Sequence, residues 1–259
     1  MGYTNISDFA TKVSMSGRDR NEILGIRIDS RSQDELERII ASTVTSGSFT
    51  RIATVNPEFL VLSHGDVCFR DCLLKADIRI ADGSGVVLAG LIYDQGVSRY
   101  PGADLVRFIL SVAEQAGVSV FLATKGGGLS TYEDVRKAVV VSYPGLRVDG
   151  ADMLPGSDAE SERIRHASVV LCNFGAPEQE RFLESFRSDP GSIRLVMGVG
   201  GTFDFLTGRR PRAPRWMRSA GLEWLFRLAI QPKRLGRIWN AVVIFPFLCL
   251  SDRMRGGKQ

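Results

Sequence analysis

The chain has only four cysteines and two histidines among its 259 residues, and this scarcity excludes several kinds of chemistry. Cys68, Cys72, Cys172 and Cys249 give no disulfide framework in a chain of this length and read as a reducing-compartment pattern. Cys68 and Cys72 stand four apart and can share a helix face, but no His or Cys cluster completes a metal site beside them. Both are expected in the core. His64 and His166 lie near the ends of predicted helices, with no Ser/His/Asp or metal-ligand pattern around either, and are expected to be structural or surface residues. The N-terminus lacks an apolar segment followed by a small-residue cleavage site, so export by a signal peptide is not expected. Gly2 makes no lipidation site, because Ile6 stands where Ser or Thr is required. No internal repeat or low-complexity domain is present. The strongest membrane signal, Ile238 to Leu250, has too few residues for an ordinary spanning helix, and Pro246 is expected to interrupt it.

With 44% hydrophobic and 24% charged residues, the chain is not disordered as a whole and can bury one substantial core. Its net charge of +4 is concentrated toward the C-terminus. Between Arg209 and Arg237 there are nine basic side chains and one acid, Glu223, so this surface should attract phosphates or an anionic membrane. It does not by itself imply nucleic-acid binding, and none is expected. Trp216, Trp224, Phe226 and Trp239 recur at near-helical spacing within it, which suggests packed helices with arginines facing outward or into a cleft. Basic residues flank the apolar run on both sides, an arrangement suited to a membrane interface or to a buried terminal helix.

The rest of the chain alternates strands with helices. After a polar lead over residues 1–20, strands are expected at Glu22 to Ile28, Phe49 to Val55, Asp77 to Ala81, Val118 to Ala123, Leu146 to Val148, Ser168 to Cys172 and Ile193 to Val199. Helices are expected from Ser32, which can cap the first of them, through Phe59 to Leu74 with a break near Gly65, and over Val86 to Leu91, Ala103 to Gln115, Thr131 to Ser142 and Ala159 to His166. Pro177 can begin the next, and a short one surrounds Phe203 to Leu206. This order predicts an α/β fold with a mainly parallel sheet over residues 21–208, followed by a basic helical extension over 209–259.

In such folds ligands sit in crevices outside the carboxyl ends of strands. Thr54 and Asn56 precede Pro57 at one strand-to-helix junction. Asp82 occupies another, bounded by Gly83 and Gly85, which permit close approach. It is the most economical general base, although turn formation or helix capping would also account for it. Lys125-Gly126-Gly127-Gly128 could cradle a diphosphate through backbone N–H groups, but lacks a Walker signature and a dinucleotide fingerprint. Gln179 falls in the first turn of a helix, where donors can meet a ligand. Asp204 could bind a ligand hydroxyl or organise its own loop, and Thr202 or Asp204 could cap the short helix. The arginines beyond Gly208 suit paired hydrogen bonds to phosphate.

Several stretches together resemble a known family: Thr54-Val55-Asn56-Pro57-Glu58, Ala81-Asp82-Gly83-Ser84-Gly85, Arg99 with Gly102-Ala103-Asp104, Gly175-Ala176-Pro177-Glu178-Gln179-Glu180, and GVGGTFDFLTGRRPRAPRWMRSAGLEWLFRL. They are similar to bacterial glycosyltransferases of the WecG/TagA/CpsF type, which include teichoic-acid linkage-unit N-acetylmannosaminyltransferases. The resemblance, over roughly Asn21 to Trp239, implies a Rossmann-like core with a C-terminal extension that covers the active site and attaches to membrane. It implies an inverting hexosyltransferase that uses a nucleotide-diphosphate sugar, usually a UDP-sugar, as donor substrate. The implied acceptor is a polyprenyl-diphosphate-linked saccharide in cell-surface or exopolysaccharide biosynthesis. Asp82 would be the base, and Thr54 would help shape the reaction pocket. Asn56, Arg99, Gln179, Gly127, Gly128, Asp204, Arg212, Arg215 and Arg218 would bind substrates. Arg227, Lys233, Arg234, Arg237 and Trp239 would contact membrane or lipid diphosphate. The implied location is peripheral, at the cytoplasmic face of the bacterial inner membrane and partly in the cytoplasm.

No cofactor is expected, nor a divalent metal, since no metal triad or acidic pair presents itself; a homo-oligomer is left open. The Lys125–Gly128 loop and the segment Val148-Asp149-Gly150-Ala151-Asp152 depart from the family's usual glycine/proline and His/aromatic-rich patterns, which leaves the donor sugar open among hexosyl groups. The alternative is a non-catalytic nucleotide- or phosphate-binding module associated with membrane. That reading explains the basic surface but gives Asp82, Thr54, Asn56 and Gln179 no shared task.

Overall fold

The computed structural model describes residues 21–157, 160–232 and 235–256; the polar lead, Lys233 and Arg234 lie outside the described residues, as does Ala159. The chain begins with a small hairpin, β1 (Glu22–Ile23) and β2 (Ile26–Arg27). This corrects the expected single strand Glu22 to Ile28. Leu24 and Gly25 both have positive φ, 50° and 73°, the geometry of a tight two-residue hairpin turn.

The elements that follow are α1 (Gln33–Ser46), β3 (Thr50–Val55), α2 (Pro57–Gly65), α3 (Val67–Leu74), β4 (Ile78–Ala81), α4 (Ser84–Ile92), α5 (Gly102–Gln115), β5 (Ser119–Lys125), α6 (Tyr132–Ser142), β6 (Arg147–Met153), α7 (Ser161–Arg165), β7 (Val169–Cys172), α8 (Glu178–Ser185), β8 (Leu195–Gly198) and α9 (Thr202–Leu206). Local chemistry explains several boundaries. Ser32 and Glu35 form a reciprocal capping box at α1, and Thr131 with Asp134 forms another at α6, each satisfying free N–H groups of a first helical turn. Asp66 accepts from Phe69 N–H and starts α3 where α2 ends, so the break near Gly65 is real. Sequence reading shortened β6, which runs seven residues; Asp149, Gly150 and Asp152 are poor strand formers held by full pairing with β5.

The main sheet has six strands in the order β4-β3-β8-β7-β5-β6, and all its pairings are parallel. One face packs on α1, α5, α6 and Phe203 of α9, through residues such as Ile40, Leu105, Ile109, Val135, Ile52, Leu122 and Met197. The other packs on α2, α3 and α4 at one end and on α7 and α8 at the other. β3 leads into α2 on one face and β8 into α9 on the opposite face, although the two strands are neighbours. A crevice therefore opens above their carboxyl ends.

Arg51 lies in β3 with its side chain 0% exposed. It pairs with Glu180 at 2.7 Å, also 0% exposed, and with Glu184 at 2.7 Å, and it donates to the Cys72 carbonyl. Glu180 is one turn from Glu184 on α8, so one guanidinium clamps both to β3. Of the four free cysteines, Cys72, Cys172 and Cys249 are buried; Cys68 is exposed, contrary to expectation, because Phe69, Cys72 and Leu73 form the inward face of α3.

Beyond Gly208 an irregular segment leads to helices α10 (Arg215–Ser219), α11 (Glu223–Ile230), α12 (Leu235–Trp239) and α13 (Phe245–Gly256), the last two joined through a π-helical turn at Asn240–Ile244. Pro246 does not interrupt this segment. Leu235–Arg255 is a helix of 21 residues, long and apolar enough to cross a membrane by length and composition. The wider π turn ends at the residue before Phe245 and relieves the clash and missing donor that proline imposes on an α-helix. Phe245 and Cys249 are buried against α2 and α4. Arg237 pairs with Glu58, Tyr93 donates to Asp252, and Arg253 pairs with Asp94, so the helix is fastened near both ends.

Arg51→Met should leave Glu180 buried without a counter-charge and lower the unfolding free energy by about 3–5 kcal/mol, read from urea denaturation. The double variant Arg51→Met, Glu180→Met should recover much of that loss.

Candidate active site

β3 and β4 run in register, with Val55 opposite Ala81, so Asn56 and Asp82 emerge side by side. The Asp82 N–H donates to the Val55 carbonyl at 2.7 Å, which continues the ladder one residue past the strand end. Asn56 caps α2 by accepting from Phe59 N–H at 3.1 Å, with Pro57 at the first helical position. Gly83 follows Asp82 with φ 102°, a conformation that favours glycine, and α4 begins at Ser84. Asp82 Oδ1 accepts from Gly102 N–H at 3.1 Å, and a Cβ at Gly102 would stand 3.2 Å from Thr54 Cγ2 and 3.7 Å from Asp82 Oδ2. Gly102 thus lets the start of α5 approach both candidate residues. Thr54, buried, donates to the Gly198 carbonyl at 3.3 Å.

Two cavities meet at this point. The larger, about 430 Å³, has Leu88, Ile92, Trp224, Ile238, Ala241, Val242 and Pro246 as its apolar wall between α4 and the C-terminal helix, with Asn56, Glu58, Asp82, Arg99, Glu223, Arg227 and Arg237 at its polar end. The smaller, about 100 Å³, is mainly polar and lies over β3, β7 and β8; Thr54, Gly175, Gln179, Gly200, Gly201, Thr202 and Arg212 line it. Asn56, Glu58, Asp82, Glu223, Arg227 and Arg237 border both.

Burial pushes the Asp82 carboxyl above the ordinary aspartate range; the Gly102 N–H and the charges of Arg227 and Arg99 oppose that rise, while Glu223 adds to it. Burial acts the same way on Glu223, but Arg227, Arg99 and Arg212 outweigh it and hold this carboxyl below the usual glutamate range. Two acids in one pocket are thus driven in opposite directions. The raised Asp82 carboxyl suits a general base better than the lowered Glu223 carboxyl does.

The other expected site residues are distributed as follows. Arg99 donates to the Arg218 carbonyl at 2.9 Å and pairs with Glu223 at 3.1 Å. Arg212 makes a two-pronged pair with Asp104 at 2.6 and 2.9 Å and borders the smaller cavity. Arg218 presents its carbonyl to Arg99, and Arg215 is exposed and borders neither cavity. Gln179 is buried; it accepts from Gly175 N–H and donates to Glu180, both at 3.1 Å, which shapes the turn around the cis Ala176–Pro177 bond. Asp204 accepts from Ser130 at 2.8 Å and pairs with Arg210 at 3.3 Å, so its carboxylate organises its own loop. Gly201, with no side-chain cap, starts α9 in place of Thr202 or Asp204. Gly127 and Gly128 form a turn after β5, with Gly127 at φ 72°, and do not line either cavity. His64 and His166 are exposed and away from both. Among the described residues no group of three His, Cys, Asp or Glu could hold a metal ion.

Arg227 and Arg237, expected at the membrane, both border the cavities; Arg227 also lies over the Phe205 ring at 5.5 Å. Trp239 is 57% exposed. Sequence reading missed Glu58, Ser84 and Glu223. Ser84 donates to the Gly221 carbonyl at 3.0 Å and pins the α10–α11 turn beside Asp82. Glu223 was visible as the one acid in a basic stretch, without a task.

The pattern of the Glycosyl transferase WecG/TagA/CpsF family matches residues 21–259. The N-acetylglucosaminyldiphosphoundecaprenol N-acetyl-beta-D-mannosaminyltransferase of Bacillus subtilis (strain 168) is 29% identical over 206 residues, covering 77% of each chain.

A Cβ at Gly198 would fall within 2.7 Å of both Gln179 Cδ and Glu180 Oε1. Gly198→Ala should therefore cost about 1–3 kcal/mol and disturb the smaller cavity. A lowered melting temperature is the expected result.

Proposed function

Since this chain belongs to the WecG/TagA/CpsF family and is a glycosyltransferase, we propose that it transfers a hexose-type sugar, with inversion, from a UDP-sugar to a saccharide carried on a polyprenyl diphosphate. The observation that carries this reading is the position of Asp82 between an apolar groove and a polar cavity. An acceptor with a long hydrocarbon tail needs the groove, while a nucleotide-diphosphate sugar needs the polar side. The Bacillus subtilis relative is named for an undecaprenol-linked acceptor, which supports the same assignment.

In this reading the acceptor hydroxyl gives its proton to Asp82 as its oxygen attacks the anomeric carbon. The bond from that carbon to the diphosphate breaks, and the electron pair leaves on the phosphate oxygen. Arg99, Arg212 and Arg227 stabilise the departing charge. Thr54, Asn56 and the Gly175–Gln179 turn hold the donor in line, so that the attack becomes effectively intramolecular. Enclosure by α11 and α12 limits water as a competing acceptor. The exposed apolar residues Leu235, Trp239, Val243, Phe247, Leu250 and Met254 face the lipid of the cytoplasmic membrane surface, with the docked side of the same helix walling the groove.

A panel of UDP-sugars with polyprenyl-diphosphate-linked saccharides, followed by mass spectrometry of products, tests the reaction. Asp82→Asn should reduce turnover by about 10²–10⁴-fold with UDP binding largely kept; normal turnover would remove Asp82 as the base. Because the ionised carboxylate is the active form and burial raises its pKa, wild-type kcat/KM should fall on the acid side at a pH above the ordinary aspartate range. A limb at or below that range would contradict a desolvated base.

A further inference from the structure

We propose that Glu223 is a positioning residue for the transfer reaction: it holds the guanidinium groups of Arg99 and Arg227 beside Asp82 while preventing either from closing on the Asp82 carboxylate. This inference rests on the reading of Asp82 as the base. Its foundation is geometric. Glu223 Oε2 accepts from Arg99 Nη2 at 3.1 Å and Oε1 from Arg227 Nη2 at 2.7 Å, so one carboxylate bridges two cations from different parts of the chain. Its side chain is 18% exposed and borders both cavities.

The need for such a residue follows from the charges around Asp82. Arg99 faces the pocket from the loop before α5, Arg227 from α11, Arg212 from the segment before α10 and Arg237 from α12. The acids there are Glu58 from α2 and Glu223 from α11. Arg237 is paired with Glu58 and Arg212 with Asp104, which leaves Arg99 and Arg227 for Glu223. Without its charge, these two would lose the carboxylate they share, while both already act on Asp82 as nearby positive charges. A paired Asp82 would be a weaker base, with its oxygens turned from the acceptor hydroxyl. Glu223 also anchors the extension: Arg99 donates to the Arg218 carbonyl as well, so a single guanidinium joins α10, α11 and the β4-side loop.

The test compares wild type, Glu223→Gln and Glu223→Asp in full-length protein. It uses the UDP-hexose that yields product in the panel assay, farnesyl-diphosphate-linked N-acetylglucosamine as acceptor, and UDP alone for calorimetry. Glu223→Gln should lower kcat about tenfold, leave UDP affinity unchanged or tighter, and move the acid limb of kcat/KM to lower pH, because Asp82 then faces uncompensated positive charge. Glu223→Asp should restore the limb to its wild-type place. A lower kcat with weakened UDP binding and an unmoved limb shared by both variants would mark a merely structural residue and overturn the proposal, as would an unchanged kcat. Arg227→Gln, run in parallel, removes a cation and should move the limb to higher pH, so the proposal remains open to refutation if Glu223→Gln does not fold; an unmoved limb there counts against it. Asp82→Asn separates the two readings. If it is inactive while the Glu223 and Arg227 limbs stay unmoved, only this inference fails; if it turns over normally, the base assignment fails and takes this inference with it.

Discussion

The buried pairing of Arg51 with Glu180 and Glu184 is the constraint on which the site's geometry depends. Removing these charges from water is costly, and attraction repays that cost only when the remaining polar atoms are satisfied. Here they are: Arg51 also reaches the Cys72 carbonyl and Glu180 also receives the Gln179 amide. The consequence reaches along β3 and α8 to their ends at the crevice. β3 delivers Thr54 and Asn56, and α8 begins at the Gly175–Gln179 turn. Fixing α8 on β3 therefore fixes the two edges of the polar cavity relative to each other. Gly198 completes the arrangement, because only a residue without a side chain leaves room for Gln179 between β8 and Glu180.

A second division is superimposed on this frame. One end of the crevice is polar and belongs to the sheet; the other is apolar and exists only because the C-terminal helix stands opposite Leu88 and Ile92. Asp82 lies where they meet, and its environment differs from that of Glu223 in one decisive respect. Asp82 accepts one backbone N–H, whereas Glu223 accepts from two guanidinium groups. Burial is the largest influence on both carboxyls, but at Glu223 the arginines together outweigh it. In the proposed function, this difference lets one carboxyl accept a proton while the other stays charged in the same pocket.

Much of this was legible in the sequence where local chemistry decides structure. Buried strands alternated with helices, and Asn56-Pro57 and Asp82-Gly83 could be placed at strand ends, because caps and turns depend on nearby residues. What could not be read depends on distant partners. Arg51 was covered only by the expected strand Phe49 to Val55, and nothing local connects it with Glu180, 129 residues away. Arg227 and Arg237 were expected at the membrane, yet their direction is set by Glu223 and Glu58. The Pro246 expectation failed because a π turn beforehand makes room for the ring, a tertiary adjustment that apolar composition does not report. Leu24-Gly25 failed for the opposite reason: apolar residues on both sides concealed a turn whose only local sign was one glycine.

The two sides of the C-terminal helix differ: one is docked on the core and the other is apolar and exposed. Phe245 and Cys249 bury one side in the core, and Arg237, Asp252 and Arg253 fasten it near both ends. A helix held this way cannot cross a bilayer upright without giving up those contacts, although its length of 21 residues would suffice. The opposite side keeps Trp239, Phe247, Leu250 and Met254 in solvent, and covering such side chains is favourable by about 1.5–3 kcal/mol each when complete. In the proposed function, a membrane that covers this side presses on the wall of the groove. The hydrocarbon tail of an acceptor would then pass from lipid to groove along a single helix, so the element that meets the membrane is also the one that completes the site beside Asp82.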